Sequence, residues 1–119
     1  MFEIEFTDEF GTWWDNLTIP QQEALAARVD LLAARGPALK RPVVGEIKGS
    51  AYDPQMKELV IEQEGSLRVL FIFDPRRSAI LLIGGDKTGT WNDWYRTAIP
   101  HADELYAEHL TTLTREGLI

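Results

Sequence analysis

Hydrophobic and polar positions along the chain change period three times, and those changes outline the elements. In "FEIEF" (residues 2–6) every second side chain is apolar, which predicts a strand with one buried face. Thr7 is placed to cap a helix, and Phe10, Trp13, Trp14 and Leu17 then recur at helical spacing. Pro20 suits a first helical turn. Leu25, Val29 and Leu32 continue at i, i+4, i+7, with Ala26 and Ala33 beside them, until Gly36-Pro37 stops the run. Residues 7–35 therefore read as a helical hairpin laid on a sheet. From Pro42 the helical period is gone. The stretch "PVVGEIKGSAYDPQ" is strand or loop; "KELVIEQ" is a strand, "EGS" a turn, "LRVLFIF" a second strand, "DPRRS" a turn with Pro75 preset for it, and "AILLIG" a third. Turns this short predict an antiparallel meander, and "AILLIG" is apolar enough for a central position.

Beyond the strands, "GGDKTGT" (84–90) reads as a Gly-rich loop leaving the sheet. Thr90 is placed to cap the next helix, with Asp93 in its first turn, and Trp91, Trp94, Tyr95 and Ala98 line one face. Pro100 is expected to open a separate last helix, striped by Ala102, Leu105, Tyr106, Leu110 and Leu113, with Gly117 past its end. These elements make one α+β domain over residues 1–119. It is built of an N-terminal strand, a helical hairpin, a meander sheet and C-terminal helices.

Composition narrows the function classes. Apolar residues make up 45% of the 119 and charged residues 26%, the balance of a soluble globular domain. The absence of cysteine excludes a disulfide framework, a thiol nucleophile and a cysteine zinc site, and is compatible with a reducing cytoplasm. The N-terminus lacks the basic start and apolar run of a signal peptide, and no apolar stretch approaches a membrane span. Net charge is −7, yet its distribution is uneven: −6 over residues 1–34, +2 over 35–89 and −3 over 90–119. The basic groups gather in the middle, and local sign matters for a contact surface because distant charges are screened.

Two motifs invite chemistry. Asp-Lys-Thr-Gly-Thr (86–90) matches the phosphorylation signature of P-type ion pumps, but the nucleotide and hydrolase modules and membrane helices of such pumps have no counterpart here. His101 and His109 lie eight apart, on one side of the last helix, and read as surface or groove residues. More pointed is the order of parts: strand, helical hairpin, meander, then Lys87 at the exit of a buried strand beside Asp86. With "KELVI", "LRVLFIFDPRRSAILLIGGDKTGTWNDWY" and "IPHADELYAEHL" in that sequence, the chain resembles the RelE-like toxins of bacterial toxin–antitoxin modules. Within the RelE/ParE superfamily it is most similar to the HigB, or phage Gp49-like, branch. The resemblance spans residues 2–112.

That resemblance implies a cytoplasmic toxin that cleaves mRNA on the ribosome without metal or other cofactor. Its implied partner is a cognate antitoxin of the helix-turn-helix, HigA-like kind. It leaves two alternatives open: a ParE-like inhibitor of DNA gyrase without nuclease activity, and an inactive module that only binds its antitoxin. It also carries residue roles. Lys57 takes the place of a basic residue near the scissile phosphate and is the expected base. Arg68 takes that of the recurrent arginine, whose two donors clamp a phosphate as lysine cannot. Lys87 takes that of the residue that protonates the leaving group or stabilises the transition state. Arg76 and Arg77 in the turn are candidate substrate contacts, and Tyr95 a candidate stacking platform for an unpaired base. From residue type alone, Arg68 could equally form a salt bridge with Glu58 or Glu62, Lys57 could be a solvated strand end, and Trp13 or Trp14 could lie in the core or under an antitoxin. Two features depart from the family pattern: the acidic total, and Leu59 where a second basic residue is common.

Overall fold

The computed structural model describes residues 1–90 and 92–119; the expected aromatic at Trp91 lies outside the described residues. The elements are β1 (Ile4–Phe6), α1 (Asp8–Asp15), α2 (Ile19–Arg35), β2 (Val44–Glu46), β3 (Lys57–Glu62), β4 (Ser66–Phe73), β5 (Ala79–Asp86) and α3 (Asn92–Arg115). The Thr7 hydroxyl accepts the Phe10 N–H and donates to the Leu82 carbonyl, so one side chain both caps α1 and ties it to β5. Thr18 and Gln21 form a reciprocal capping box at the start of α2, which Gly36 ends at φ 57°.

The five strands run in the order β1-β5-β4-β3-β2. The meander is antiparallel as expected, but β1 joins parallel to β5, so the sheet is mixed. That places β4, rather than "AILLIG", at the centre. β5 is still paired on both edges and packed on both faces, Ala79 and Leu81 on one and Ile80 and Leu82 on the other, and that two-sided burial accounts for its apolar sequence. Helices α1 and α2 cover one face of the sheet over Phe10, Leu25, Leu59, Val69, Phe71 and Leu81. Helix α3 covers the other over Met56, Leu70, Ile72, Ile80, Leu82 and Leu105.

Two further expectations fail for physical reasons. Pro100 does not open a new helix; it lies inside the 24-residue α3. A proline within a helix costs about 3 kcal/mol. Here Ala98, Ala102, Leu105, Tyr106 and Leu113 bury one continuous stripe across it, and burial of that stripe outweighs the local loss. Gly84 and Gly85 are not in a loop; they belong to β5, opposite Val69 and Arg68. They are glycines because the sheet is clamped there from both sides. A Cβ on Gly84 would overlap the Trp13 indole, and one on Gly85 the Trp94 indole.

Candidate active site

Strand alternation decides which side chains can meet. Val60 is paired with Arg68 and Glu58 with Leu70, so Glu58, Glu62 and Arg68 all point to the α3 face. Gly85 sits opposite Arg68 on β5, and Lys87, two residues on, continues along that face as its N–H extends the ladder to the Ser66 carbonyl. The first turn of α3 brings Tyr95 over these groups. Its hydroxyl donates to Glu58 Oε1 at 2.6 Å, and Lys87 Nζ lies 5.5 Å from its ring centroid. Trp94 meets the Tyr95 ring edge-on at 5.0 Å. Glu58, Arg68 and Lys87 are all buried, which is rare for charged side chains.

The Arg68 guanidinium is held but not saturated. Nη1 lies 2.9 Å from Glu62 Oε1 and donates to the Leu67 carbonyl, while Nε is 3.7 Å from Glu58 Oε1. That Nε is buried and makes no hydrogen bond among the described residues. An unmatched donor on a buried cation is costly, and an oxyanion entering the cluster would satisfy it. Burial first, then the Glu58 carboxylate, push the Tyr95 phenol well above its ordinary pKa, so it stays protonated and keeps donating to Glu58. A groove of about 560 Å³ opens beside the cluster, with Glu58, Tyr95, Ile47, Lys48 and Asn92 in its wall.

Asp86 has another task. Its Oδ1 accepts the N–H groups of Ser66 and Thr88. The Thr88 side chain foremost, and then these two N–H groups, outweigh burial and hold its carboxyl below the usual carboxylate range. The carboxylate fastens the turn before β4 to the end of β5, which presents Lys87. The Thr90 hydroxyl donates to the Lys87 carbonyl, and the Thr90 carbonyl accepts the Asp93 N–H.

The six site residues expected from sequence separate into three places. Arg68, Lys87 and Tyr95 come together. Lys57 does not join them: it is paired with Phe71 on the opposite face, 3.8 Å from Glu46, and lines a separate cavity of about 290 Å³ with Phe73 and Pro37. Arg76 and Arg77 lie at the far end of β4, roughly 20 Å from Arg68 at a strand rise of about 3.3 Å per residue. There Arg76 bonds Asp74 and Glu5, and Arg77 covers the Phe2 ring at 5.6 Å. His109, on the same end, sits 2.9 Å from Asp74 Oδ2. Glu58 is the member that residue type alone assigned only to a salt bridge. The alternation of "KELVIE" carried the signal, because it points a carboxylate inward on a strand bound for a packed face.

The family model for the phage-derived Gp49-like proteins matches residues 12–107. The chain belongs to this family of HigB-type toxins. It is 40% identical over 105 residues, 87% of its length, to "Putative toxin HigB2" of Mycobacterium tuberculosis, and spans about half (52%) of that protein. It is 45% identical over 103 residues to "Putative toxin HigB3" of the same organism, covering 82% of this chain and 88% of that one. In fold it is similar to a free-state mutant of the Escherichia coli toxin RelE, with a TM-score of 0.58, 12% identity, and 94% and 97% of the two chains covered. A second neighbour lies in the intact E. coli RelBE toxin–antitoxin complex, with a TM-score of 0.55, 13% identity, and 72% and 96% covered. The expected RelE-like α+β fold is thus the observed one. Among the described residues no helix is long and apolar enough to cross a membrane.

Proposed function

We propose that the chain is the toxin of a type II toxin–antitoxin module and a metal-independent mRNA endoribonuclease. The observation that carries this reading is the meeting of Arg68 and Tyr95 at the Glu58 carboxylate, with Lys87 Nζ beside the Tyr95 ring, from three separate stretches of chain. Such a set supplies what cleavage through the neighbouring 2′-hydroxyl requires. Glu58 takes the 2′-hydroxyl proton as the oxygen attacks its own phosphorus. Arg68 and Lys87 stabilise the charge that builds on the phosphorane. Lys87 then passes a proton to the departing 5′-oxygen, leaving a 2′,3′-cyclic phosphate and a 5′-hydroxyl end. Tyr95 orients Glu58 and offers a ring on which a base can stack. Lys57, on the other face, has no step in this scheme.

The net charge of −7 supports a target delivered by a larger body, because phosphate contacts dominate affinity for naked RNA and this surface offers few. We take that body to be the ribosome. The names of the relatives, and the toxin–antitoxin complex of the structural neighbour, support a cognate antitoxin as partner, here of the helix-turn-helix, HigA-like kind. The test is induced expression with genome-wide mapping of RNA 5′ ends. Wild-type chain is expected to produce new mRNA ends and growth arrest, and Arg68→Ala neither. Gyrase-linked DNA breaks with no new mRNA ends would replace this reading with the gyrase-inhibitor one. Arrest undiminished by Arg68→Ala would remove the site.

A further inference from the structure

The β3–β4 hairpin carries three glutamates, and each is used differently. Glu58 is as buried as Arg68, with 9% and 10% of the two side chains exposed, and the Tyr95 hydroxyl holds it. Glu64, in the turn, is drawn to α2, where its Oε1 accepts the Thr18 hydroxyl. Glu62 ends β3 with both oxygens engaged at the site. Oε1 lies 2.9 Å from Arg68 Nη1, and Oε2 accepts the Ser66 hydroxyl at 3.0 Å. Its side chain is nevertheless 57% exposed. Ser66 is its partner in the strand register and donates its own N–H to Asp86 Oδ1 and Thr88 Oγ1. The seat of Glu62 is thereby fastened to the strand end that presents Lys87.

A carboxylate and a phosphate compete for one guanidinium, because each offers paired oxygens to its donors. Arg68 Nη1 carries two N–H groups. The Leu67 carbonyl takes one, and Glu62 stands against the same nitrogen. Nε, the buried donor, lies on the Glu58 side. An anion coming from solvent to Nη1 therefore meets Glu62 first. Charge adds to the obstruction. Arg68 and Lys87 are balanced within the cluster by Glu58 and Glu62, so an entering phosphate finds no net attraction until one carboxylate leaves. Glu58 is walled in, whereas Glu62 can turn into water at modest cost, as a half-exposed ion pair is weak. We propose that Glu62 is a gate on Arg68, a specificity-determining side chain that denies the cluster to free phosphate and naked RNA and yields to a phosphodiester held there by a larger body. Moving Glu62 costs the same for every anion. A phosphodiester already held elsewhere binds as if within one molecule and meets that cost, while a diffusing one does not. The gate rests on the nuclease reading for the identity of its substrate, and it makes dependence on a delivering body the property of one side chain as well as of net charge.

Inorganic phosphate is the first probe. It is titrated at constant ionic strength against the wild-type chain, Glu62→Ala, Glu62→Asp and each of these combined with Arg68→Ala, all checked for native circular dichroism and melting. Phosphate affinity is expected to rise about fivefold or more in Glu62→Ala, and the rise to vanish when Arg68→Ala is added. Glu62→Asp keeps the charge and draws it back by one methylene, so part of the same rise is expected; it carries the test if Glu62→Ala does not fold. The second probe is a defined transcript, free in solution and on translating ribosomes. Glu62→Ala is expected to lower KM on the free transcript about fivefold, with kcat changing less, and to gain less on ribosomes. Unchanged phosphate affinity in the folded variants would overturn the gate. So would a rise that survives Arg68→Ala, or an equal gain on both forms of the transcript. Glu62→Asp matching wild type while Glu62→Ala gains would also overturn it, because repulsion by a distant charge then accounts for the effect. Failure of the nuclease reading shows differently: no variant cuts RNA, and the phosphate result at Arg68 stands.

Discussion

The two ends of β4 use the same residue types to opposite ends. At the Asp74 end an arginine, a histidine and two carboxylates close on themselves. Asp74 is buried, and its carboxylate accepts the N–H groups of Arg76 and Ser78, two bonds from the Arg76 guanidinium and a contact from His109. Arg76 reaches on to Glu5, so β1, the β4–β5 turn and α3 are joined at one carboxylate. At the Arg68 end the guanidinium again has two carboxylates nearby, but its Nε makes no hydrogen bond among the described residues, and Lys87 stands close by over Tyr95. A satisfied network specifies a structure. One with a buried donor left over has capacity for a ligand.

The sharpest way to break the comparison is Arg68→Lys. It keeps the charge and removes the fork, so mRNA cleavage is expected to fall on the order of 100-fold, measured on a defined transcript with translating ribosomes. Melting is expected to change little. The mirror experiment is Asp74→Asn, which leaves Arg76 and His109 without their shared acceptor. About 1–3 kcal/mol of stability is expected to disappear in urea denaturation, with cleavage per folded molecule unchanged. Equal loss of cleavage in both variants would erase the distinction between the two ends.

Smaller effects sharpen it. Tyr95→Phe keeps the ring and removes the bond to Glu58, and is expected to slow cleavage about tenfold while binding of the cognate antitoxin is unaffected. Acid separates the ends in another way. Burial alone would raise the Asp74 carboxyl, but His109, Arg76 and the Ser78 N–H outweigh it and hold it below its ordinary value. A lowered folded pKa gives stability that is complete above the unfolded value, about 3.9, and is lost as pH falls through the lower folded one. Melting temperature against pH is therefore expected to drop below about pH 4 and to drop less in Asp74→Asn. Asp86 acts with the same sign at the other end through its turn. The smallest effect is expected from Lys57→Ala. Cleavage within about twofold of wild type would fit its place on the opposite face, and a 100-fold loss would return Lys57 to the site.

Much was legible in the chain itself. Thr7 and Pro20 announced their helix starts, Gly36 a helix end, and the short apolar runs "KELVIE" and "LRVLFIF" between turn signals the strands, because each depends on neighbours within a turn or a few residues. The family was legible for the same reason, being a matter of order and spacing. Tertiary structure alone decided which charges meet. Lys57 and Glu58 are adjacent, yet opposite faces of one sheet separate them, and register with β4 gives only Glu58 to Arg68. Gly84 and Gly85 look like a loop until two tryptophans from different helices close on them. Pro100 looks like a boundary until the face it interrupts is buried. Local rules act over a few residues, whereas a site at a sheet's rim is assembled from segments tens of positions apart. Only the packing of both faces says which of those segments it will contain.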